Sequence, residues 1–193
     1  MPPPPWTLSG SGLIAVSAPA PGAPLGALML VRYAASPVGP YDEVLWAEVS
    51  RTPAGWRPRV TSIWVSTRES VDWGRRNWGL PKRLAHFGWE RGGVRVTAED
   101  GGEVAQLAFR TGGPRLPVTT ALIPAALRTL AQPPLEGGGN WLLTRVGASG
   151  HVTPAGLTVL HADGLCPSLR GARPRLTLGV PDFRMVFPVP ERA

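Results

Sequence analysis

Lysine is almost absent from this sequence: Lys82 stands alone against 19 arginines. Lysine is normally among the commonest residues of soluble proteins. A general bias toward Arg accounts for its loss wherever any cation serves, but only Lys readily gives up its proton and attacks a carbonyl. The lysine that is kept is therefore the first candidate for chemistry. Cysteine is equally scarce. Cys166 has no second cysteine in the chain to pair with and reads as a small apolar residue. Long apolar runs are missing too: the longest, Leu25 to Val31, is far short of a membrane span. Met1 and the four prolines after it have neither the basic nor the apolar region of a secretion signal. A cytoplasmic protein with no membrane partner is expected.

What is present points to a folded chain rich in turns. Gly (24) and Pro (23) make up about a quarter of the 193 residues, a level that approaches low complexity. The 43% hydrophobic content and eight Trp oppose disorder. So many breakers exclude a helical bundle. The net charge of +7 raises nucleic acid as a partner, yet the arginines are scattered, with no run longer than Arg75-Arg76. A solvated basic surface is the simpler reading, and no nucleic-acid partner is expected.

The length suits one domain over 1–193, with 1–24 a loose Pro/Ala/Gly-rich segment. Leu25–Ala35 reads as a buried strand, and Val44–Ser50 and Arg59–Ser66 continue an antiparallel meander. Ser66-Thr67-Arg68-Glu69 fits a capping box opening a short helix to about Asn77, which Gly79 and Pro81 end. Glu99-Asp100-Gly101-Gly102 joins 94–98 to 104–110 as a hairpin. Thr120–Ala131 suggests a second helix. Trp141–Val146 and Val152–Leu160 suggest a second hairpin, and Arg175–Leu178 and Phe183–Phe187 the last strands. The fold class expected is mainly β (α+β): a curled antiparallel sheet or barrel with one or two short helices.

Several motifs fail on context. Gly10-Ser11-Gly12-Leu13-Ile14-Ala15 matches a dinucleotide fingerprint as a string, but Pro-rich chain stands where its strand belongs. His86, His151 and His161 show no metal-ligand spacing, so no metal is expected. Read alone, Lys82 is a surface cation after a Pro-ended helix, and Glu43 is a solvated loop acid.

Two segments change that reading. Pro81-Lys82-Arg83-Leu84 follows the pair Gly74-Arg75, and upstream stand Val31-Arg32-Tyr33 and Tyr41-Asp42-Glu43. In this order the strings resemble the acetoacetate decarboxylase family, in its Asn-Trp-Gly-Leu-Pro-Lys version, over roughly residues 25–110. The resemblance implies a barrel-like cone around a pocket, an oligomer of identical chains, and no metal or organic cofactor. It implies a Schiff base between Lys82 and a small keto acid or related carbonyl compound, with the iminium as electron sink for decarboxylation or aldolase-type chemistry. Arg83 falls on the family's second lysine, as the cation that disfavours protonation of Lys82. Glu43 falls on a pocket carboxylate. Arg32, Tyr41 and Trp78 are the candidate substrate contacts, and Trp78, Leu80, Leu84 and Phe87 the apolar surroundings that favour a neutral amine. Trp78 also suits core packing. Ala34 stands in place of a family glutamate and Arg76 in place of another acid, which alters the substrate or proton transfer supported. The alternative is a non-catalytic binder on the same fold, in which Lys82 pairs as a charge with a ligand carboxylate.

Overall fold

The computed structural model describes residues 2–18, 25–135, 139–169 and 174–193. Four long strands come first: β1 (Trp6–Ser17), β2 (Gly26–Ala35), β3 (Tyr41–Thr52) and β4 (Gly55–Val65). Helix α1 (Arg68–Trp78) leads into β5 (Lys82–Glu90), β6 (Gly93–Ala98) and β7 (Glu103–Thr111). Then follow β8 (Leu116–Thr119), a 3-10 turn, the single turn α2 (Ala125–Arg128), β9 (Thr129–Gln132) and β10 (Leu142–Arg145). The chain ends with β11 (Gly147–His161), β12 (Leu176–Phe187) and β13 (Glu191–Arg192).

Ten strands form one curled mixed sheet in the order β12-β1-β2-β3-β4-β5-β6-β7-β11-β8, and β11 also pairs with β12, which joins the sheet to itself. Strands β9, β10 and β13 make a small separate sheet. The meander β2–β3–β4 and the hairpin β6–β7 match the expectation from alternation and turn residues. Among the described strands only β4 and β5 run parallel, with Ile63 opposite Lys82. The antiparallel expectation fails there because α1 carries the chain back to the start of the next strand, as a crossover must.

Other expectations need correction. The Pro-rich start holds a twelve-residue strand, β1, although residues 19–24 lie outside the described part. Trp6 and Leu8 are buried in one cluster, Leu13 and Ala15 in another, so the buried face changes along the strand. The change falls near Gly10 and Gly12, where the register shifts against both neighbours and backbone carbonyls of β2 occupy the place of a Cβ. Residues 120–131 give only a 3-10 turn and one α turn before Thr129 enters β9. Strand β10 pairs with β9 and β13, not with β11, and 176–187 is one strand rather than two.

Two apolar clusters flank the sheet. One gathers Leu28, Leu30, Val44, Trp46, Val96 and Leu107. The other gathers Tyr33, Tyr41, Ile63 and Val65 with Val71 and Trp78 of α1. No helix among the described residues is long and apolar enough to cross a membrane.

Candidate active site

Helix α1 sets the site. It starts after Thr67, whose side chain makes no cap bond, and the expected capping box is absent because the Ser66 hydroxyl instead accepts the backbone N–H of Asp42. Glu69 in the first turn and Arg75 and Arg76 in the last complement the helix dipole. Gly79 stops the helix at φ 64°, a left-handed conformation that costs glycine little. The next residues turn back, and Lys82 opens β5 beside Ile63. The buried face of α1 carries Ser70, Val71, Gly74 and Trp78. A Cβ on Gly74 would lie 2.5 Å from Cδ and 2.7 Å from Cε of Lys82. Glycine at 74 thus makes room for the lysine stem.

Lys82 and Glu43 are each only 4% exposed. The ammonium nitrogen donates to Oε2 of Glu43 at 2.8 Å and to Oγ of Ser70 at 3.0 Å. It stands 5.1 Å from the ring centre of Tyr41. The Tyr33 hydroxyl donates to Oε1 of Glu43 at 3.0 Å. Residues 33, 41 and 43 share one face because Tyr33 pairs with Tyr41 across β2–β3 and Glu43 is two residues further along β3. Burial pulls the Lys82 pKa down, but Glu43 first and then Tyr41 outweigh it, and the amine is held above the usual lysine value. Burial, with Glu43 beside it, pushes Tyr33 well above the usual phenol value. Tyr41 is raised as well, chiefly by burial. The resting site is an ammonium–carboxylate pair flanked by two neutral phenols, not the neutral amine that the apolar neighbours suggested.

The structure thus brings Lys82, Glu43 and Tyr41 together, and separates three other candidates from them. Successive strand residues point to opposite faces. Arg83 is exposed and lies over the ring of Trp64 at 5.4 Å. Arg32 pairs with Asp42 at 3.3 Å and lies over Trp89 at 4.4 Å, on the face of β2 opposite Tyr33. Trp78 packs edge-on against Trp6 and Phe187 and donates its indole N–H to the Pro188 carbonyl, so it is core. Leu80 and Leu84 join the cluster near the lysine, whereas Phe87 packs on the other one. Ala34 is exposed and skipped in the β1–β2 register, and Arg76 lies over Trp73. Ser70 and Tyr33 were not singled out in the sequence as site residues. Tyr33 lies within the Val-Arg-aromatic string and was within reach, whereas Ser70, four positions before Gly74 on one helix face, carried no signal of its own.

A cleft of about 640 Å³ lies along the exposed face of α1, lined by Asp72, Trp73, Arg75, Arg76 and Leu135. A second, of about 400 Å³, shares Arg75 and Leu135 with it. Neither is lined by Lys82, Glu43 or Tyr41. Among the described residues no three His, Cys, Asp or Glu side chains converge as metal ligands do.

Neither a protein-family model nor a curated protein matches the chain. Solved structures do. An acetoacetate decarboxylase aligns with all of the chain and 90% of its own length, at 12% identity and a TM-score of 0.72. The acetoacetate decarboxylase of Legionella pneumophila aligns with all of the chain and 88% of its own, at 14% identity and 0.69. The enduracididine biosynthesis enzyme MppR, complexed with the condensation product of pyruvate and imidazole 4-carboxaldehyde, aligns with all of the chain and 90% of its own, at 14% identity and 0.64. Identity this low speaks to architecture alone, and the architecture of this chain is the acetoacetate decarboxylase-like fold.

Proposed function

We propose that the protein is a Schiff-base enzyme acting on a small keto acid, with Lys82 as nucleophile and Glu43 as its proton acceptor. The observation that carries the reading is the burial of the only lysine against a carboxylate, with Nζ 2.8 Å from Oε2. The fold supports it, since the proteins that share it include acetoacetate decarboxylases and an enzyme solved with a pyruvate-derived product.

The chemistry starts from the resting ion pair. Lys82 passes one proton to Glu43 across the short contact, giving a neutral amine and a carboxylic acid with no change in net charge. The amine attacks the keto carbon; one of its protons and the Glu43 proton leave with the carbonyl oxygen as water, so that an iminium forms. A bond on the carbon next to the iminium then breaks: a carboxylate leaves as carbon dioxide, or an aldol fragment leaves as an aldehyde after passing its hydroxyl proton to Glu43. Its electron pair moves to the iminium nitrogen and leaves an enamine. Protonation at carbon and hydrolysis return Lys82. No metal or organic cofactor enters, because the protonated imine is itself the electron sink. With Nζ almost fully covered, a substrate reaches it only by displacing part of the cover.

A second reading has a specific observation behind it. Lys82 is held as an ammonium ion at rest, the state a carboxylate-binding protein needs. Glu43 already satisfies that charge, so a ligand carboxylate has to displace it, which favours the enzyme. The test is to add acetoacetate or pyruvate, reduce with borohydride and record the intact mass. An adduct that disappears in Lys82→Ala supports the enzyme, and no adduct with any carbonyl supports the binder. The only other amine is the N-terminus, so the assignment is close to unambiguous.

We further propose a homo-oligomer formed through residues 116–127. That segment carries no charged side chain, yet Leu116, Val118, Leu122, Ile123 and Leu127 are exposed, Leu122 by 86%. Copies of a chain with a net charge of +7 repel one another except across such a surface.

A further inference from the structure

Glu43 has two carboxylate oxygens, and each faces a different donor. Oε2 accepts from Lys82 and Oε1 from the Tyr33 phenol. The Tyr33 ring cannot easily swing away. It lies 4.5 Å from the ring of Tyr41, tilted by 34°, and 5.8 Å from that of Phe183, nearly edge-on. A phenol that keeps its proton is a donor throughout the neutral range, and burial keeps it so.

We propose that Tyr33 is a positioning residue that occupies Oε1 of Glu43, so that Oε2 alone is left to take the proton of Lys82. This rests on the reading of Lys82 as nucleophile. A free carboxylate can rotate and share both oxygens with an ammonium ion, which spreads the proton acceptor over two positions. With Oε1 engaged, the plane of the carboxylate is fixed and the acceptor faces Nζ. Ser70, which also accepts from Nζ, holds the nitrogen from the side of α1. The groups that face this pair are Tyr33 from β2, Tyr41 from β3, and from α1 the Ser70 hydroxyl and Arg75, whose Nη1 donates to the Lys82 carbonyl at 3.4 Å. Tyr33 is thus the neutral donor that sets the acid side of the pair.

The consequence is one of orientation. With the Tyr33 donor in place Oε1 is held and Oε2 faces Nζ. Without it the carboxylate can rotate, and either oxygen can meet the ammonium ion.

The experiment uses the full chain with lysine labelled at 13Cε, which gives one signal because there is one lysine. In Tyr33→Phe at neutral pH that signal is expected to move and broaden as the carboxylate rotates between its two oxygens. Global replacement by 3-fluorotyrosine, a stronger donor present only at positions 33 and 41, is expected to move it the opposite way without broadening. It serves equally if Tyr33→Phe does not fold. A signal unchanged by either replacement, or broadened by both as in a loosened site, would overturn the role of Tyr33. No substrate takes part in these spectra. If Tyr33 passes and borohydride still traps no adduct, what fails is the nucleophile reading.

Discussion

Arg83 and Lys82 are neighbours in sequence, and the strand turns them to opposite faces. The Arg83 guanidinium lies 5.4 Å from the Trp64 ring centre, while Lys82 is buried against Glu43. A cation placed there does not unload the lysine. Arg83→Ala is expected to leave the borohydride trapping rate with pyruvate within about twofold of the parent, because exposed charges act weakly through solvent. A fall of tenfold or more would return Arg83 to the site.

Gly74→Ala tests the packing of the lysine stem. The new methyl group would meet Cδ and Cε of Lys82, and the stem can yield only by drawing Nζ away from Glu43. We expect a loss of about 1–3 kcal/mol in urea unfolding, the usual cost of overpacking, together with at least a tenfold slower trapping rate. Parent-like values for both would mean that the helix, not the lysine, gives way.

Lys82→Met leaves the Glu43 carboxylate buried without its partner. The expected cost is about 3–5 kcal/mol, and Lys82→Met with Glu43→Leu should recover most of it, because an apolar pair replaces a buried ion pair with little loss. Denaturant midpoints of the two variants compare directly. Equal stabilities would show that the pair is far better hydrated than its burial indicates.

Lys82, Tyr33 and Tyr41 all hold their protons above ordinary values: burial dominates for the two tyrosines, and for Lys82 the attraction of Glu43 overcomes burial. The folded state therefore binds protons more tightly than the unfolded chain. Stability from these groups is fully present below about pH 10, where the unfolded forms titrate. It is lost as pH rises through the folded values, since the unfolded chain releases its protons first. Urea midpoints should fall between pH 10 and 11. In Lys82→Met/Glu43→Leu that fall should be shallower.

Leu122→Asp with Leu127→Asp tests the proposed contact between copies. Light scattering is expected to show the mass falling to that of one chain, with the circular dichroism of the parent preserved. A mass unchanged by both charges would exclude 116–127 as the contact.

Much of this architecture was legible where one face of a strand is buried and a turn marks its end. The segments 94–98 and 104–110 satisfy both conditions and form the expected β6–β7 hairpin. Strand β1 satisfies neither: prolines precede it, and its buried residues change from Trp6 and Leu8 to Leu13 and Ala15. Thr129 and Leu130 continue an apparently helical stretch, but their pairing with Arg145 and Thr144 overrides it. At the site, the ordered strings led to Lys82, Glu43 and Tyr41. Arg83 and Arg32 belong to the same strings, but alternation along the strands turns both away from the lysine's face. Ser70 became visible only once helix and lysine were seen to touch, since a hydroxyl in a helix has many uses and sequence spacing selects none of them.

The pairing of β1 with β12 bears on how the protein is made. Trp6 lies opposite Phe187, and both pack on Trp78 at the end of α1. A ribosome delivers Trp6 long before Phe187. Until β12 arrives, β1 keeps one edge bare and the packing around Trp78 lacks a side. The helix that carries Ser70 and Gly74 to the lysine is thus seated by residues that emerge well after it.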